Sequence, residues 1–218
     1  MGSMGDAEAK ALLKKYGIPL PEEGVAENKE EAVSIAENLG YPVVLKILSP
    51  DILHKTDAGG VLLDIKSRAE MERGYREVLR KAKTYKGNAR IEGVLVQRQV
   101  PKGREVIVGT LRDKQFGSVV MFGLGGIFVE VLKDVSFRIA PIDKSEALKM
   151  VREIKGYPVL KGVRGDPPAD TRAVASVIAA ASRIAHEREN ILEMDINPLI
   201  IYPKGGLAVD VRIITMEA

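Results

Sequence analysis

The sequence predicts an α+β fold with largely antiparallel sheets, and two observations lead to this prediction. Segments with helical periodicity alternate with strand-like segments along all 218 residues. Strand-like segments also follow one another after short, turn-rich connections, as in residues 91–122 and in the C-terminal pair. Such connections suit antiparallel hairpins, because parallel strands need a crossover of a dozen or more residues.

Capping residues and glycines mark the predicted elements. Asn28 with Glu31, and Ser67 with Glu70, have the spacing of helix N-termini. The predicted helices are 7–16, 28–40, 67–85, 143–155 and 170–186, and the predicted strands are 41–48, 61–65, 91–100, 104–111, 117–122, 191–201 and 207–214. A boundary at Val100–Pro101 divides the chain into subdomains 6–100 and 101–218, with residues 1–5 as a leader left from expression that takes no part in the fold.

Composition excludes several functional classes. The chain has no cysteine, which rules out disulfides, zinc–thiolate sites and thiol catalysis. The 33 basic residues nearly balance the 30 acidic ones, and only 5% of residues are aromatic, so nucleic acid is not the expected partner. No apolar run approaches the about 20 residues of a membrane span. The expected location is the cytoplasm, and the many Lys, Glu and Arg favour a thermophilic source.

The C-terminal hairpin carries the strongest functional signal. With residues 203–206 as the loop, Leu199 would pair with Asp210 and Asn197 with Arg212. Glu193, Asp195, Asn197, Asp210 and Arg212 would then share one face, and Leu192, Met194, Ile196 and Ile200 would face the core.

Oxygen donors on a rigid hairpin suit Mg²⁺, which takes one or two protein ligands and completes its shell with phosphate and water. The alternative interpretation is an ordinary solvent-facing side of an antiparallel pair. The metal site is favoured because Asn is poor in strands and Asn197 precedes a proline, with Asp195 two residues before it. The predicted ligands are Asn197 and Asp210, with Asp195 behind or beside them.

Two features of the first half could handle phosphate. Lys46 lies in the apolar strand 42–46, where it is either a phosphate clamp or an edge lysine that reaches solvent. The segment 54–60 places His54 close to Gly59 and Gly60. These glycines permit close approach of backbone N–H groups to phosphate, and the histidine could carry a phosphoryl group; the alternative is a turn with a solvated histidine.

Three polar features of the second half are ambiguous from local sequence. The glycine cluster 123–126 fits neither a P-loop nor a dinucleotide fingerprint, which favours a tight turn. Glu130, Asp134 and Arg138 recur every four residues, either as ligand contacts or as a solvated face. Glu105 begins a strand and allows both interpretations.

In combination, three segments resemble an ATP-grasp nucleotide-binding domain: 54–61, 103–126, and 195–199 with 210–212. The sequence is similar to the β subunit of ADP-forming acyl-CoA (acetyl-CoA) synthetases, relatives of the succinyl-CoA synthetase β chain. The resemblance implies an ATP-grasp fold of two α+β subdomains with the nucleotide site between them. Its implied phosphate- and nucleotide-binding residues are Lys46, Gly59, Gly60, Gln97, Val100 and Glu105, its metal ligands for Mg²⁺ are Asn197, Asp210 and Asp195, and its phosphorylated residue is His54.

The implied function is phosphotransfer with ATP/ADP as substrate, in acyl-CoA + ADP + phosphate = acid + CoA + ATP. A hetero-oligomeric α subunit would carry the CoA-binding site, because nothing in this sequence provides one. One alternative is an ATP-grasp carboxylate ligase that acts through an acyl phosphate. Another is a regulatory module that binds nucleotide without chemistry.

Overall fold

The computed structural model describes residues 2–52, 55–126, 131–163 and 165–216. These residues form two compact units. Unit 1 comprises Met1–Leu20 with Lys102–Ala218, and unit 2 comprises Pro21–Pro101.

Unit 2 is a four-stranded antiparallel sheet covered on one face by two helices. The sheet runs in the order β2 (Glu23–Ala26), β5 (Gly93–Arg98), β3 (Val43–Leu48) and β4 (Val61–Ile65). The helices are α2 (Lys29–Leu39) and α3 (Arg68–Tyr85). The Asn28 and Ser67 side chains cap them by accepting from the third residue of each helix, as the sequence predicts. Alternate residues of β3 and β5 pack against the helices in one core, including Val43, Leu45, Ile47, Val94 and Val96.

Unit 1 is a larger antiparallel sheet with helices packed on its core-facing side. The strand order is β1 (Gly2–Ser3), β11 (Val211–Thr215), β9 (Ile191–Ile201), β6 (Arg104–Asp113), β7 (Gly117–Leu124) and β8 (Val135–Ile139), and β10 (Gly206–Ala208) also pairs with β9. The helices are α1 (Asp6–Lys15), α4 (Lys144–Glu153), α5 (Tyr157–Lys161) and α6 (Thr171–Glu187). Alternate residues of the central strands join the core, among them Val106, Val108, Val120, Phe122 and Met194.

The N-terminal segment belongs to unit 1, which corrects the predicted assignment of residues 6–20 to the first subdomain. Gly2 and Ser3 pair with Thr215 and Ile214, and the Met4 N–H donates to the Ile213 carbonyl at 2.9 Å. Helix α1 then contributes Ala9 and Leu13 to the unit 1 core. Residues 2–4 therefore take part in the fold, although the sequence interpretation set residues 1–5 aside.

Besides β1, three elements were not predicted because their local signals are weak. Strand β2 buries only one of its four residues, so it lacks the alternation of a half-buried strand. Helix α5 has five residues between two glycines, too few to show helical periodicity. Strand β8 lies in a segment whose charges recur every four residues, and the ladder with β7 decides its conformation.

No helix in the described parts of the chain is long and apolar enough to cross a membrane.

Candidate functional site

The C-terminal hairpin is tighter than predicted, and its register differs by two residues. The Tyr202 N–H donates to the Gly205 carbonyl at 3.0 Å, and Leu207 pairs with Ile200 rather than with Tyr202. Gly205 has φ +74°, which permits the short turn. A Cβ on Gly206 would lie 2.5 Å from Ile201 Cδ1, so glycine allows the close pairing at this point.

The new register brings the two principal predicted ligands directly opposite each other. Arg212 pairs with Asp195, and the Asn197 N–H donates to the Asp210 carbonyl at 3.2 Å. The prediction had placed Asn197 opposite Arg212, with Asp210 on the diagonal. A shift of two residues preserves the faces, because side chains alternate with a period of two.

A bulge in β9 changes the predicted face of its last residues. Between the pairs Val106–Leu199 and Val108–Ile196, β9 contains one more residue than β6. Leu199 therefore joins Ile196 in the core, and Ile200 lies on the opposite face, which corrects its predicted core orientation. Pro198 falls within the bulge, where its missing N–H costs no ladder hydrogen bond.

Asp195, Asp210 and Arg212 form the charged centre of the non-core face. Burial raises the pKa of the Asp195 carboxyl, the Arg212 guanidinium opposes this rise, and the Glu193 and Asp210 carboxylates add to it. Arg212 also donates to Glu193 at 2.7 Å, which offsets part of the local negative charge. Burial thus disfavours the charged form of the Asp195 carboxyl.

The oxygen donors of Asn197, Asp210 and Asp195 suit Mg²⁺ better than they suit a metal ion whose ligands all come from the protein. Within the described residues, no three acidic or histidine side chains converge on a common point. Asn197 and Asp210 supply oxygen donors from opposed positions, and the Asp195 carboxyl lies near enough to Asp210 for the two charges to interact. Mg²⁺ tolerates a small protein ligand set because it retains water and substrate oxygens.

Asp170 supports this hairpin from outside it and was not singled out by the sequence analysis. One carboxylate oxygen accepts from the Arg172 and Ala173 N–H groups, which caps α6. The other accepts from the Gly205 N–H at 2.9 Å, and the Asp170 N–H donates to the Tyr202 carbonyl at 2.8 Å. Its position as an N-cap can be predicted from sequence, whereas its contact with the hairpin cannot.

Glu105 lies on the same non-core face as the hairpin carboxylates. It pairs with Ile200, and its side chain is exposed. The Gly125 N–H donates to the Glu105 carbonyl at 2.9 Å, and a Cβ on Gly125 would lie 3.0 Å from Glu105 Cβ. The second half of the glycine cluster thus brings the end of β7 against Glu105, whereas Gly123 and Leu124 belong to the strand itself.

In unit 2, Lys46 and Gln97 lie on the face of the sheet opposite the helices. Lys46 pairs with Leu95, two residues from Gln97, so the two side chains are diagonal neighbours. Both are buried, with 5% and 1% exposed, which does not fit an edge lysine extended into solvent. The Gln97 amide donates to Glu23 at 2.7 Å, and Glu23 was missed because β2 was missed. Val100 follows the end of β5 and is partly buried.

Gly59 and Gly60 build the turn before β4. Their N–H groups donate to the Thr56 and Lys55 carbonyls at 2.9 and 2.8 Å. A Cβ on Gly60 would lie 2.4 Å from Ile47 Cγ2. In this conformation the glycines support the turn rather than present N–H groups to a ligand. The predicted phosphoryl carrier, His54, lies outside the described residues, as do Leu53 and Glu130.

Asp134 and Arg138, the remaining candidates in the second half, have structural partners. Asp134 accepts from the Lys155 and Gly156 N–H groups at 2.8 and 2.6 Å. Arg138 donates to Glu146 at 2.7 Å and also to Glu153, and so ties β8 to α4. These contacts assign both residues to the fold of unit 1.

Comparisons with known proteins agree with this architecture. A family model described as an ATP-grasp domain matches residues 2–215. The β subunit of acetate–CoA ligase [ADP-forming] I from Pyrococcus furiosus is 54% identical over 96% of this chain and 90% of that protein. A structure of acetyl-coenzyme A synthetase 1 from Ca. Korarchaeum cryptofilum with coenzyme A and Ca-AMPCP has TM-score 0.97 and 48% identity, over 99% of this chain and 94% of that chain.

A second structure of that synthetase contains coenzyme A and Mg-AMPPCP, with its phosphohistidine segment pointing towards the nucleotide binding site. Its TM-score is 0.85 at 45% identity, over 98% of this chain and 93% of that chain. The chain belongs to the ATP-grasp family, and the predicted α+β, ATP-grasp fold is confirmed. Within that family it groups with the β subunits of ADP-forming acetate–CoA ligases, which are acid–thiol ligases.

Proposed function

We propose that this chain is the nucleotide-binding phosphotransfer subunit of an ADP-forming acyl-CoA synthetase. The net reaction is acyl-CoA + ADP + phosphate = acid + CoA + ATP. The observation that carries the proposal is the juxtaposition of Asn197 and Asp210 on one hairpin, next to the Asp195 carboxyl. The high identity to an acetate–CoA ligase β subunit, over almost the whole of both chains, supports it.

On unit 1, Asn197 and Asp210 are the proposed ligands of Mg²⁺, and Asp195 stands beside them. The ion would supply positive charge to the phosphate oxygens of ATP or ADP, a role supported by the Mg-AMPPCP complex of the related synthetase. Glu105 lies on the same face and is the proposed further contact of the nucleotide. The hydrogen bonds of Asp170 keep the hairpin in place for this role.

On unit 2, Lys46 is the proposed phosphate-binding cation. Lys46 lies on the sheet face opposite the helices, as a diagonal neighbour of Gln97, and this position supports a shared role in nucleotide binding. Gln97, held by Glu23, and Val100 are the proposed contacts of the nucleotide base. Gly59 and Gly60 shape the turn that follows the His54 segment.

His54 is the proposed phosphoryl carrier. An oxygen of the ADP β-phosphate attacks the phosphorus of phospho-His54, a P–O bond forms, and the P–N bond to the imidazole breaks. ATP leaves, and His54 is free to accept the next phosphoryl group from a phosphohistidine on the α subunit. Phosphoryl transfer of this kind depends on positioning and charge stabilisation, which lysine and metal provide.

The α subunit is the proposed source of the CoA-binding site, because relatives of this length are β subunits. The test uses this chain together with its α subunit, acetyl-CoA and labelled phosphate. We expect acid-labile, base-stable label on His54, and its transfer to added ADP. His54→Asn removes this label and the formation of ATP, whereas the matched control His186→Asn, on helix α6, keeps both.

Either of two results would contradict this proposal and support another function. Turnover of a carboxylate by the isolated chain, retained in His54→Asn, would identify a ligase that works through an acyl phosphate. Nucleotide binding without label on any histidine, in the presence of the α subunit, would identify a regulatory module.

A further inference from the structure

A cavity of about 350 Å³ opens at one end of unit 1, beside the start of β6. Three short segments line it: Lys102–Arg104, Asp166–Pro167 and Ile201–Pro203. The predicted functional residues do not line it, and its volume falls in the range of small-molecule pockets.

Arg104 is the polar centre of this cavity. Its side chain is 16% exposed, and its Nη2 atom is buried without a hydrogen-bond partner among the described residues. The nearest described carboxylate, Asp166, lies 3.9 Å from Nη2, beyond hydrogen-bond distance, and is itself 71% exposed. A buried guanidinium N–H without an acceptor is costly, and an oxyanion in the cavity would supply one.

The strand register points Arg104 away from the proposed magnesium ligands. Arg104 pairs with Ile201, whose side chain is in the unit 1 core. Glu105, the next residue, lies on the opposite face of the sheet with Asp195. An anion bound by Arg104 therefore occupies the helix side of the sheet.

The rest of the lining favours a small anion with a compact apolar part. Lys102 is exposed at the entrance and adds a second positive charge. Ile201, Tyr202 and the two prolines, Pro167 and Pro203, supply apolar surface. A Cβ on Gly103 would lie 2.6 Å from Ile200 Cγ2 and 3.1 Å from Tyr202 Cε1, so glycine lets Lys102 and Arg104 come close to the hairpin end.

We infer that this cavity is a binding site for the oxyanion group of a small molecule, either a carboxylate or a phosphate, with Arg104 as the main anchor and Lys102 as its second cation. Both groups match the fork of a guanidinium. The inference does not rest on the proposed function, because the residues that line this cavity are not among the proposed nucleotide and metal ligands.

The test follows isoleucine methyl signals by NMR during separate titrations with inorganic phosphate and with acetate, at ionic strength held constant with chloride. We expect a saturable shift of the Ile201 methyl with at least one of the two anions, with a Kd in the millimolar range or tighter. Saturation by phosphate alone or by acetate alone identifies the oxyanion. Arg104→Gln should weaken binding at least tenfold, Lys102→Gln less, and the matched control Lys114→Gln, an exposed lysine, not at all.

Arg104→Lys keeps the positive charge and serves as a second test if Arg104→Gln does not fold. A folded Arg104→Lys protein should bind more weakly than wild type, because lysine cannot offer the planar fork. The inference is overturned if Ile201 does not respond to either anion, if its response fails to saturate, or if folded Arg104 variants respond like wild type. A response of Ile107 alone, on the opposite face, would place the anion with the nucleotide site and also overturn it.

Discussion

The Asp170 carboxylate accepts a hydrogen bond from the Gly205 N–H at 2.9 Å, although the two residues belong to different elements. The same side chain caps α6, so one carboxylate joins a helix N-terminus to the turn of the C-terminal hairpin. This turn sets the register of the hairpin strands, which places Asn197 opposite Asp210. A residue remote from the proposed ligands thus supports the turn next to them.

Asp170→Ala should lower the free energy of unfolding by about 2 kcal/mol, because it removes a helix cap and a charge-assisted hydrogen bond. Asp143→Ala is the matched control. Asp143 also caps a helix, by accepting from the Glu146 N–H at 2.8 Å, and within the described part of the chain its side chain makes no hydrogen bond to the hairpin. Asp143→Ala should lower the free energy of unfolding, measured by urea denaturation, by about 1 kcal/mol. Equal costs for the two variants would show that the Gly205 bond contributes nothing.

Asp170 also predicts a pH dependence. Hydrogen bonds from the N–H groups of Gly205, Ala173 and Arg172 hold the pKa of its carboxyl below the usual value. The stabilisation is complete above the unfolded-state pKa of about 3.9 and is lost as pH falls through the lower folded-state pKa. The stability difference between wild type and Asp170→Asn should therefore shrink on acidification below about pH 4. A constant difference down to the acid transition would contradict this assignment.

Gly60→Ala should destabilise unit 2 by about 1–3 kcal/mol, because its Cβ would lie 2.4 Å from Ile47 Cγ2 and 3.1 Å from the Lys55 carbonyl oxygen. Gly87→Ala is the control, since the nearest atom to its Cβ would be 3.8 Å away. That substitution should be neutral or slightly stabilising. Thermal and urea unfolding of both variants measure the difference, and similar midpoints would argue against a packing role for Gly60.

Asp210→Asn should weaken Mg²⁺-dependent nucleotide binding at least tenfold, or about 1.4 kcal/mol, because it removes one proposed anionic ligand. Binding without Mg²⁺ should change little. Stability should stay the same or rise, since the charge of Asp210 opposes ionisation of the buried Asp195. Calorimetric titrations with and without Mg²⁺ check this, with Glu189→Gln, an exposed acid of unit 1, as control. Unaltered magnesium dependence would remove Asp210 from the proposed site.

Lys46→Met should reduce nucleotide affinity at least tenfold while leaving unit 2 folded. The methionine fills a similar volume on a buried strand, so the missing charge is the main change. Lys83→Met, at an exposed position near the end of α3, removes the same charge and serves as control. If both variants bind nucleotide like wild type, Lys46 is a structural residue with its own protein partner.

The sequence predicts the element types and the site face well because both depend on short-range periodicity. Capping at Asn28 and Ser67, and the core positions of Met194 and Ile196 in β9, are visible in the residues themselves. The predicted core position of Leu192 is wrong, because Leu192 is only partly buried and Ile191 joins the core in its place. The exact register of the hairpin is not, because it depends on how tightly Gly205 and Gly206 allow the chain to turn. The error of two residues left the faces intact and changed only which residues are directly opposite.

Features that depend on contacts distant in sequence were missed for a different reason. Glu23 meets Gln97 across a strand pair, and Asp170 meets Gly205 across 35 residues. The β9 bulge, which turns Ile200 away from the core, is defined only by the partner strand β6. Neither propensity nor spacing in one segment contains this information.

The segment that precedes unit 2 has its hydrogen-bonding partners at the far end of the chain. The Ala208 N–H donates to the Pro19 carbonyl, and the Met4 N–H donates to the Ile213 carbonyl. Within unit 2, by contrast, the Arg98 N–H donates to the Glu22 carbonyl, so its first and last strands close on each other. During synthesis, unit 2 can complete its own sheet as soon as it leaves the ribosome. Helix α1 emerges earlier but can pack in unit 1 only after β11 has been synthesised. Helix α1 is therefore synthesised before unit 2 but reaches its final packing after it. In nascent chains halted after β5, unit 2 should resist proteolysis while α1 is still cleaved.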